Sequence, residues 1–118
     1  MSEGKEKQFL NFFSVNLFAG EDSRNILEAY RTFLNGKVLH STKQHSEYQL
    51  NTGERIVFSV ESEDCPVRPG TVTFWTNRGM KVRFPSNFRL VSAPSHQKYE
   101  LWEDPYGNWI WLYFLVDK

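Results

Sequence analysis

The apolar positions of the first third of the chain follow two different periods. Phe9–Ala19 is rich in strand-forming residues and predicts a first strand. Residues 20–36 predict an amphipathic helix, because their apolar side chains recur at helical spacing. These side chains are Ile26, Leu27, Tyr30, Phe33 and Leu34. Asp22 or Ser23 is placed to cap the start of this helix, and Gly36 is placed to cap its end.

Further strands are predicted on both sides of a linker. In the first half they are 37–42, 47–50 and 55–61, with an Asn-Thr-Gly turn before the last. The linker, 62–70, contains two prolines and a glycine. After it, strands are predicted at 71–76, 88–92, 97–103 and 109–116, with a connection at 77–87 and a turn at 104–108. The second half thus repeats the β-α-β-β-β order of the first, with its helix short or absent.

The last predicted strand, WIWLYFLV, carries large apolar side chains at every position. Successive side chains of a strand point to opposite faces of its sheet. One face therefore carries Trp109, Trp111, Tyr113 and Leu115, and the other carries Ile110, Leu112, Phe114 and Val116. A surface strand would alternate apolar with polar residues, and this strand does not.

Composition excludes several classes of partner. The chain has 118 residues, with 14 Lys and Arg against 14 Asp and Glu, so a nucleic-acid partner is not expected. No stretch approaches the roughly 18 apolar residues of a membrane helix, and the charged start does not resemble a signal peptide. The single cysteine, Cys65, excludes an intrachain disulfide. We expect a cytoplasmic protein with a flexible leader at 1–8 and one domain at 9–118.

The order of elements and the terminal stretch EDPYGNWIWLY resemble the vicinal oxygen chelate superfamily. This group includes glyoxalase I, extradiol dioxygenases, fosfomycin-resistance enzymes and bleomycin-resistance proteins. The turn before its last strand reads DPxGN, which is matched here by Asp104, Pro105, Gly107 and Asn108. The stretch SRNILEAYRTFLNGKVL looks like the first-helix signature, with Ala29-Tyr30 where the family usually has Phe-Tyr.

This resemblance implies the fold and the oligomeric state. The implied fold is α+β, with two βαβββ modules at 9–61 and 71–116. Their sheets curve into a cup, and the helix packs on the outer face. The missing second helix would leave one outer sheet face exposed, which is a liability in water. Small members of the superfamily are commonly homodimers, so a homodimer is expected.

The resemblance also bears on catalysis. In metal-dependent members the last-strand ligand is a glutamate four residues after the turn glycine, and that position is Trp111 here. The first strand offers only Ser14 and Asn16, and the fifth strand, TVTFWT, has no histidine. The fourth-strand position cannot be placed within GERIVFSVE. The resemblance therefore implies the non-catalytic branch, without metal or cofactor, which binds aromatic or planar small molecules.

The predicted binding residues fall into an aromatic and a polar group. The residues expected to stack on a planar ligand are Trp75, Trp102, Trp109, Trp111 and Tyr113. The expected polar contacts are Ser14, Asn16 and Arg55. The same aromatic rings are more often part of a packed sheet interior or a dimer interface. A register shift of one residue would turn Phe13, Val15 and Leu17 toward the ligand instead of Ser14 and Asn16.

Two other functions remain open from the sequence. The first is a glyoxalase-like or dioxygenase-like enzyme with unusual metal ligands, drawn from His40, His45, Glu61 or Glu100. The second is a scaffold or regulatory protein that uses the same fold as a protein-binding surface. The cluster of Arg78, Lys81 and Arg83 fits either an anion contact or a solvated loop.

Overall fold

The computed structural model describes residues 10–77 and 79–115. The predicted leader 1–8, together with Phe9, Arg78 and Val116, lies outside these described residues. In chain order the elements are β1 (Val15–Phe18), α1 (Ser23–Arg31), β2 (Gly36–Ser41), β3 (His45–Leu50), β4 (Arg55–Ser59), β5 (Thr71–Asn77), β6 (Arg89–Ser92), β7 (Tyr99–Glu103) and β8 (Trp109–Leu115).

The strands form two mixed four-stranded sheets, so the α+β class is confirmed. The first sheet has the order β1-β4-β3-β2, and the second has the order β5-β8-β7-β6. In each sheet the first strand pairs in parallel with the last, and the remaining pairs are antiparallel. The two halves therefore share one strand order. Only the first half has a helix among its described residues.

The first strand is shorter than predicted. It covers Val15–Phe18, whereas Leu10–Ser14 has the same strand-forming composition but lies outside any sheet. Strand propensity alone does not form a ladder, because each strand needs a neighbouring backbone to accept its hydrogen bonds. No described strand pairs with Leu10–Ser14 through such hydrogen bonds.

Helix α1 begins after Asp22, one of its two predicted N-caps, but ends earlier than predicted. Asp22 is its N-cap and accepts a hydrogen bond from the backbone N–H of Arg24 at 3.1 Å. Gly36 is not the C-cap; the cap is Thr32, and Gly36 starts β2. A Cβ atom at Gly36 would lie 2.0 Å from the carbonyl oxygen of Gln49. Gly36 is therefore required by the close approach of β2 and β3.

The core lies between α1 and one face of the first sheet, and it continues onto the second sheet. Its fully buried members are Leu17, Ala19, Ile26, Leu27, Tyr30, Phe58 and Ile110. Phe33 of the segment after α1 packs edge-on against Phe84, with ring centroids 4.8 Å apart. Phe84 in turn lies 4.8 Å from Trp102 on β7. The connection before β6 thus supplies aromatic rings that join α1 to the second sheet.

The turn before β8 holds the two halves together through buried side chains. The Asn108 side chain is fully buried; its Oδ1 accepts hydrogen bonds from the backbone N–H groups of Phe18 (3.0 Å) and Gly70 (2.9 Å). Its Nδ2 donates to the carbonyl of Phe18 (2.7 Å) and to Asp104 Oδ2 (2.9 Å). The ends of β1 and the linker are therefore fixed to the start of β8.

Asp104 extends this network to the helix. Tyr30 donates its hydroxyl hydrogen bond to Asp104 Oδ2 at 2.8 Å, and the backbone N–H groups of Tyr106 and Asn108 donate to Oδ1. Burial raises the pKa of Asp104, although these hydrogen bonds oppose the rise. Burial also raises the pKa of Tyr30, with the nearby Asp104 charge adding to the effect. The Tyr30 hydroxyl and the Asp104 carboxyl group therefore have a structural role as buried hydrogen-bond partners.

We expect Asn108→Ala to destabilise the fold strongly. The substitution removes the side-chain partner of three backbone groups of Phe18 and Gly70 and one of the two hydrogen bonds to Asp104 Oδ2, which costs about 3 kcal/mol or more in a buried site. Chemical denaturation followed by circular dichroism measures this change. Asn25→Ala is the matched control, because Asn25 is exposed on α1 and alanine favours helix, so its stability should change by less than about 0.5 kcal/mol. Equal losses in both variants would contradict the role of Asn108.

Candidate functional site

The second sheet exposes a set of aromatic side chains on one face. This face, called the open face, is the side turned away from the core and bears Trp75, Trp109, Trp111 and Tyr113. These side chains lie on one side of the sheet because of the strand register, in which Trp75 pairs with Tyr113 and Thr73 pairs with Trp111. The exposed fractions of Trp75, Trp109 and Tyr113 are 65%, 41% and 43%. These values exceed what core packing would leave.

Tyr99 of β7 belongs to the same face, although the sequence did not single it out. Its ring lies 5.3 Å from Trp111 in an edge-on arrangement and 5.7 Å from Tyr113 in a stacked one. The pairing of Tyr99 with Tyr113 places it there. Alternation within YELWE does not say which face of the sheet Tyr99 lies on. Only the pairing of β7 with β8 turns Tyr99 away from the core.

Trp102 is not brought together with the other predicted aromatic residues. It pairs with Ile110, whose side chain is fully buried in the core, so Trp102 lies on the opposite face of the sheet. There it packs against Phe84 and donates its Nε1–H to Glu100 Oε1 at 2.9 Å. Side chains alternate along a strand, so Trp102 cannot share a face with Trp111 in this register.

Ser14 and Asn16, the two polar residues predicted on the first strand, lie away from the core. Leu17 is fully buried against the helix, so Asn16 points to the other side of the first sheet, and its exposed side chain confirms this. Ser14 precedes the strand and donates its hydroxyl to Asn16 Oδ1 at 2.8 Å. The register that would turn Val15 and Leu17 outward is therefore not the one observed.

Arg55, the third predicted polar residue, belongs to a charged network on the same side of the first sheet. Its Nη1 donates to Glu47 Oε1 at 3.1 Å, and Glu47 Oε2 lies 2.8 Å from His45 Nε2. The guanidinium carbon also lies 4.9 Å from the ring centroid of Phe13, a cation–π contact. The hydrogen bond with His45, followed by the nearby charges of His45 and Arg55, lowers the pKa of Glu47.

Glu47 was not identified from the sequence as a site residue. The available signal was its spacing of two from His45, which puts both side chains on one face of a strand. The predicted strand began at Glu47 and so separated the two residues, whereas β3 begins at His45. Their contact with Arg55 depends on the pairing of β3 with β4, which local sequence does not specify.

The remaining polar candidates do not converge. Among residues 10–77 and 79–115, no group of three His, Cys, Asp or Glu side chains is placed to hold a metal ion. His40 lies near His45, with ring centroids 5.7 Å apart, but His45 is bonded to Glu47. Glu100 is bonded to Trp102, and Glu61 is exposed. Lys81, Arg83 and Cys65 are exposed as well, and Arg78 lies outside the described residues.

Two cavities of the described part of the chain border the second sheet, and neither is lined by Trp109, Trp111 or Tyr113. One, of about 590 Å³, lies on the core side of the second sheet and includes Trp102, Leu112 and Phe114. The other, called the seam cleft, has a volume of about 570 Å³ and lies between β5 and the start of β1 and β4. The seam cleft is lined by Phe12, Val15, Leu50, Thr52, Glu54, Arg55, Ile56 and residues 71–75 of β5. Of the open-face residues, Tyr99 lines the first cavity and Trp75 lines the seam cleft, whereas Trp109 and Tyr113 lie exposed at the surface.

Comparison with known proteins supports the fold alone. No protein-family model and no curated protein matches the sequence. The structure is similar to the crystal structure of protein PA1353 from Pseudomonas aeruginosa, with a TM-score of 0.67. The match covers 91% of this chain and 100% of that chain, at 9% sequence identity. No helix in residues 10–77 and 79–115 has the length and apolar character needed to cross a bilayer.

We expect His45→Ala to raise the pKa of Glu47 toward its ordinary value of 4.5. Arg55→Met should raise this pKa less, because the hydrogen bond with His45 is the largest cause of the lowered value. The ionised carboxylate stabilises the fold above pH 4.5, and this contribution is lost as pH falls through the lowered pKa. Carbon-13 NMR titration of the Glu47 carboxyl group measures both variants. A larger rise in Arg55→Met would contradict this order.

Proposed function

We propose that this chain is a metal-independent binding protein for a planar aromatic small molecule, which stacks on the open face of the second sheet. The observation that carries the proposal is the exposure of 65% at Trp75, 41% at Trp109 and 43% at Tyr113 on one side of β5 and β8. Large aromatic rings exposed to water lack the favourable free energy of buried apolar surface. A planar ligand stacked on them would bury that surface.

The neighbouring polar side chains support a site that orients its ligand. Asn16 and Arg55 lie on the side of the first sheet that faces away from the same core. Ligand sites typically combine an apolar surface with a few placed polar groups. In this proposal Arg55, held by Glu47 and by the Phe13 ring, contacts a polar substituent of the ligand.

We further propose that the chain is a divergent member of the vicinal oxygen chelate superfamily. The shared strand order of the two sheets and the buried role of Asp104 and Asn108 in the DPYGN turn support this. The paired positions at the middle of the parallel strands are Asn16 with Val57 and Thr73 with Trp111. Val57 and Trp111 carry no group that binds a divalent metal, which favours the binding function over the metal-dependent enzyme.

A homodimer with a cup completed between copies is part of the same proposal. Trp109 and Tyr113 are exposed and line neither of the two cavities described above, so a ligand stacked on them would remain partly exposed to water. A second copy would supply the missing wall. We also place the protein in the cytoplasm, where a free exposed thiol such as that of Cys65 stays reduced.

Trp111→Ala should weaken the binding of planar dyes by tenfold or more while leaving the fold intact, because Trp111 lies at the centre of the open face and is only partly buried. The probes are anilinonaphthalene sulfonate and acridine orange, followed by fluorescence titration. Trp102→Phe is the matched control on the opposite face of the same sheet, and its binding should change less than twofold. Unfolding of Trp111→Ala, or equal losses in both variants, would favour the packing interpretation.

Native mass spectrometry of protein purified without chelator tests the proposal independently. We expect a protein mass without metal and with an additional organic mass. A stoichiometric metal ion would overturn the metal-independent function and support the enzyme. A protein that retains no small molecule and binds neither dye would support a protein-binding surface instead.

A further inference from the structure

The core sides of the two sheets match position by position, since both sheets have the same strand order. In each sheet, two side chains of one antiparallel strand lie beside two apolar side chains of the neighbouring strand. The matched pairs are Ser46 opposite Phe58 with Glu100 opposite Leu112, and Tyr48 opposite Ile56 with Trp102 opposite Ile110. Glu100 therefore occupies the position in the second sheet that Ser46 occupies in the first.

These matched positions differ in what covers them. Ser46 is fully buried beneath the start of α1, where its Oγ lies 2.7 Å from the Oγ of Ser23. In the second sheet Phe84 covers Trp102, with ring centroids 4.8 Å apart. Glu100 is only half-buried and lines the first cavity. The first cavity therefore lies at the position where the start of a helix covers the first sheet.

The first cavity has the size and lining of a small-molecule site. Its volume is about 590 Å³, and ligand sites typically have volumes of roughly 300–1,000 Å³. Leu112 and Phe114 of β8 give its floor an apolar surface, next to Trp102 and Glu100 of β7. Residues 79–82 and the segment between β6 and β7 form its sides. A small molecule in this cavity would contact both the floor and the sides.

The fixed charge on this floor is negative. Glu100 Oε1 accepts a hydrogen bond from Trp102 Nε1 at 2.9 Å, and Glu100 forms no ion pair within the described part of the chain. Lys81 also lines the cavity, but it is exposed, so its long side chain can extend into water. Burying a carboxylate beneath an apolar ligand is costly unless a positive charge accompanies the ligand. This lining therefore favours a cation.

We propose that the first cavity binds a small organic cation, either an aliphatic amine or a quaternary ammonium ion. The charged group lies against the Glu100 carboxylate and the Trp102 ring, since tryptophan is the aromatic side chain that binds cations most strongly. The aliphatic part covers Leu112 and Phe114, which line the same cavity. This site is on the face of the second sheet opposite to the open face, so it does not depend on the function proposed above.

Titration of the full chain with hexyltrimethylammonium chloride, followed by proton–nitrogen NMR, tests the proposal. The Trp102 indole N–H signal, assigned by its loss in Trp102→Phe, should shift and saturate at millimolar concentration. Hexanol is the uncharged control probe and should bind at least tenfold more weakly, because it has no charge to pair with Glu100. A Trp102 signal that does not respond to the ammonium ion, or equal affinity for hexanol, would overturn the proposal.

Glu100→Gln should weaken the binding of hexyltrimethylammonium tenfold or more, while the glutamine oxygen can still accept the Trp102 hydrogen bond. The matched control is Glu103→Gln, which removes the same charge from the same strand. Glu103 lies on the opposite face and is paired with Arg89, so the affinity of this variant should change less than twofold. Equal losses in both variants would indicate an effect of net charge alone and would reject the site.

Lys81→Gln tests the sign of the ligand charge. The affinity for hexyltrimethylammonium should stay unchanged or rise in this variant, because a lysine at the cavity edge repels a cation. Weaker binding would indicate an anionic or zwitterionic ligand and would contradict the proposal.

Two further measurements separate this site from the open face. Trp111→Ala should bind hexyltrimethylammonium as the parent does, and Glu100→Gln should bind anilinonaphthalene sulfonate as the parent does. The two residues lie on opposite faces, because Trp111 pairs with Leu101 and Glu100 pairs with Leu112. Loss of ammonium binding in Trp111→Ala would place the cation on the open face and would reject the first cavity as its site.

Discussion

The buried pair of Asp104 and Asn108 is the interaction on which the architecture depends. It lies in the turn before β8, yet its hydrogen bonds reach the end of β1, Gly70 of the linker and the Tyr30 hydroxyl of α1. Four segments that are distant in sequence thus meet at two side chains. A buried network of this kind is costly unless every group is paired, and no buried side-chain polar atom in the described residues lacks a partner.

Once this network fixes the two halves, the uneven coverage of the sheets follows. α1 covers the first sheet, and the rings of Phe84 and Phe88 extend that cover toward β7 in place of a second helix. The opposite face of the second sheet receives no such cover among the described residues. The aromatic rings of β5 and β8 are left partly in water there.

The two sheets differ in chemistry on their uncovered sides. The first presents Asn16 and the linked polar side chains of His45, Glu47 and Arg55, while the second presents aromatic rings. The binding function proposed above rests on this division.

The sequence by itself determined the order of the elements, the turn at 104–108 and the two faces of the last strand, because these depend on local turn chemistry and on the period of side chains along the chain. Only the tertiary structure decided which residues of the neighbouring strands lie on each face of the sheet. It placed Trp102 behind the sheet and Tyr99 in front, and it brought Glu47 to Arg55. Strand pairing joins residues far apart in sequence, so alternation predicts that two faces exist but not which residues of adjacent strands share one.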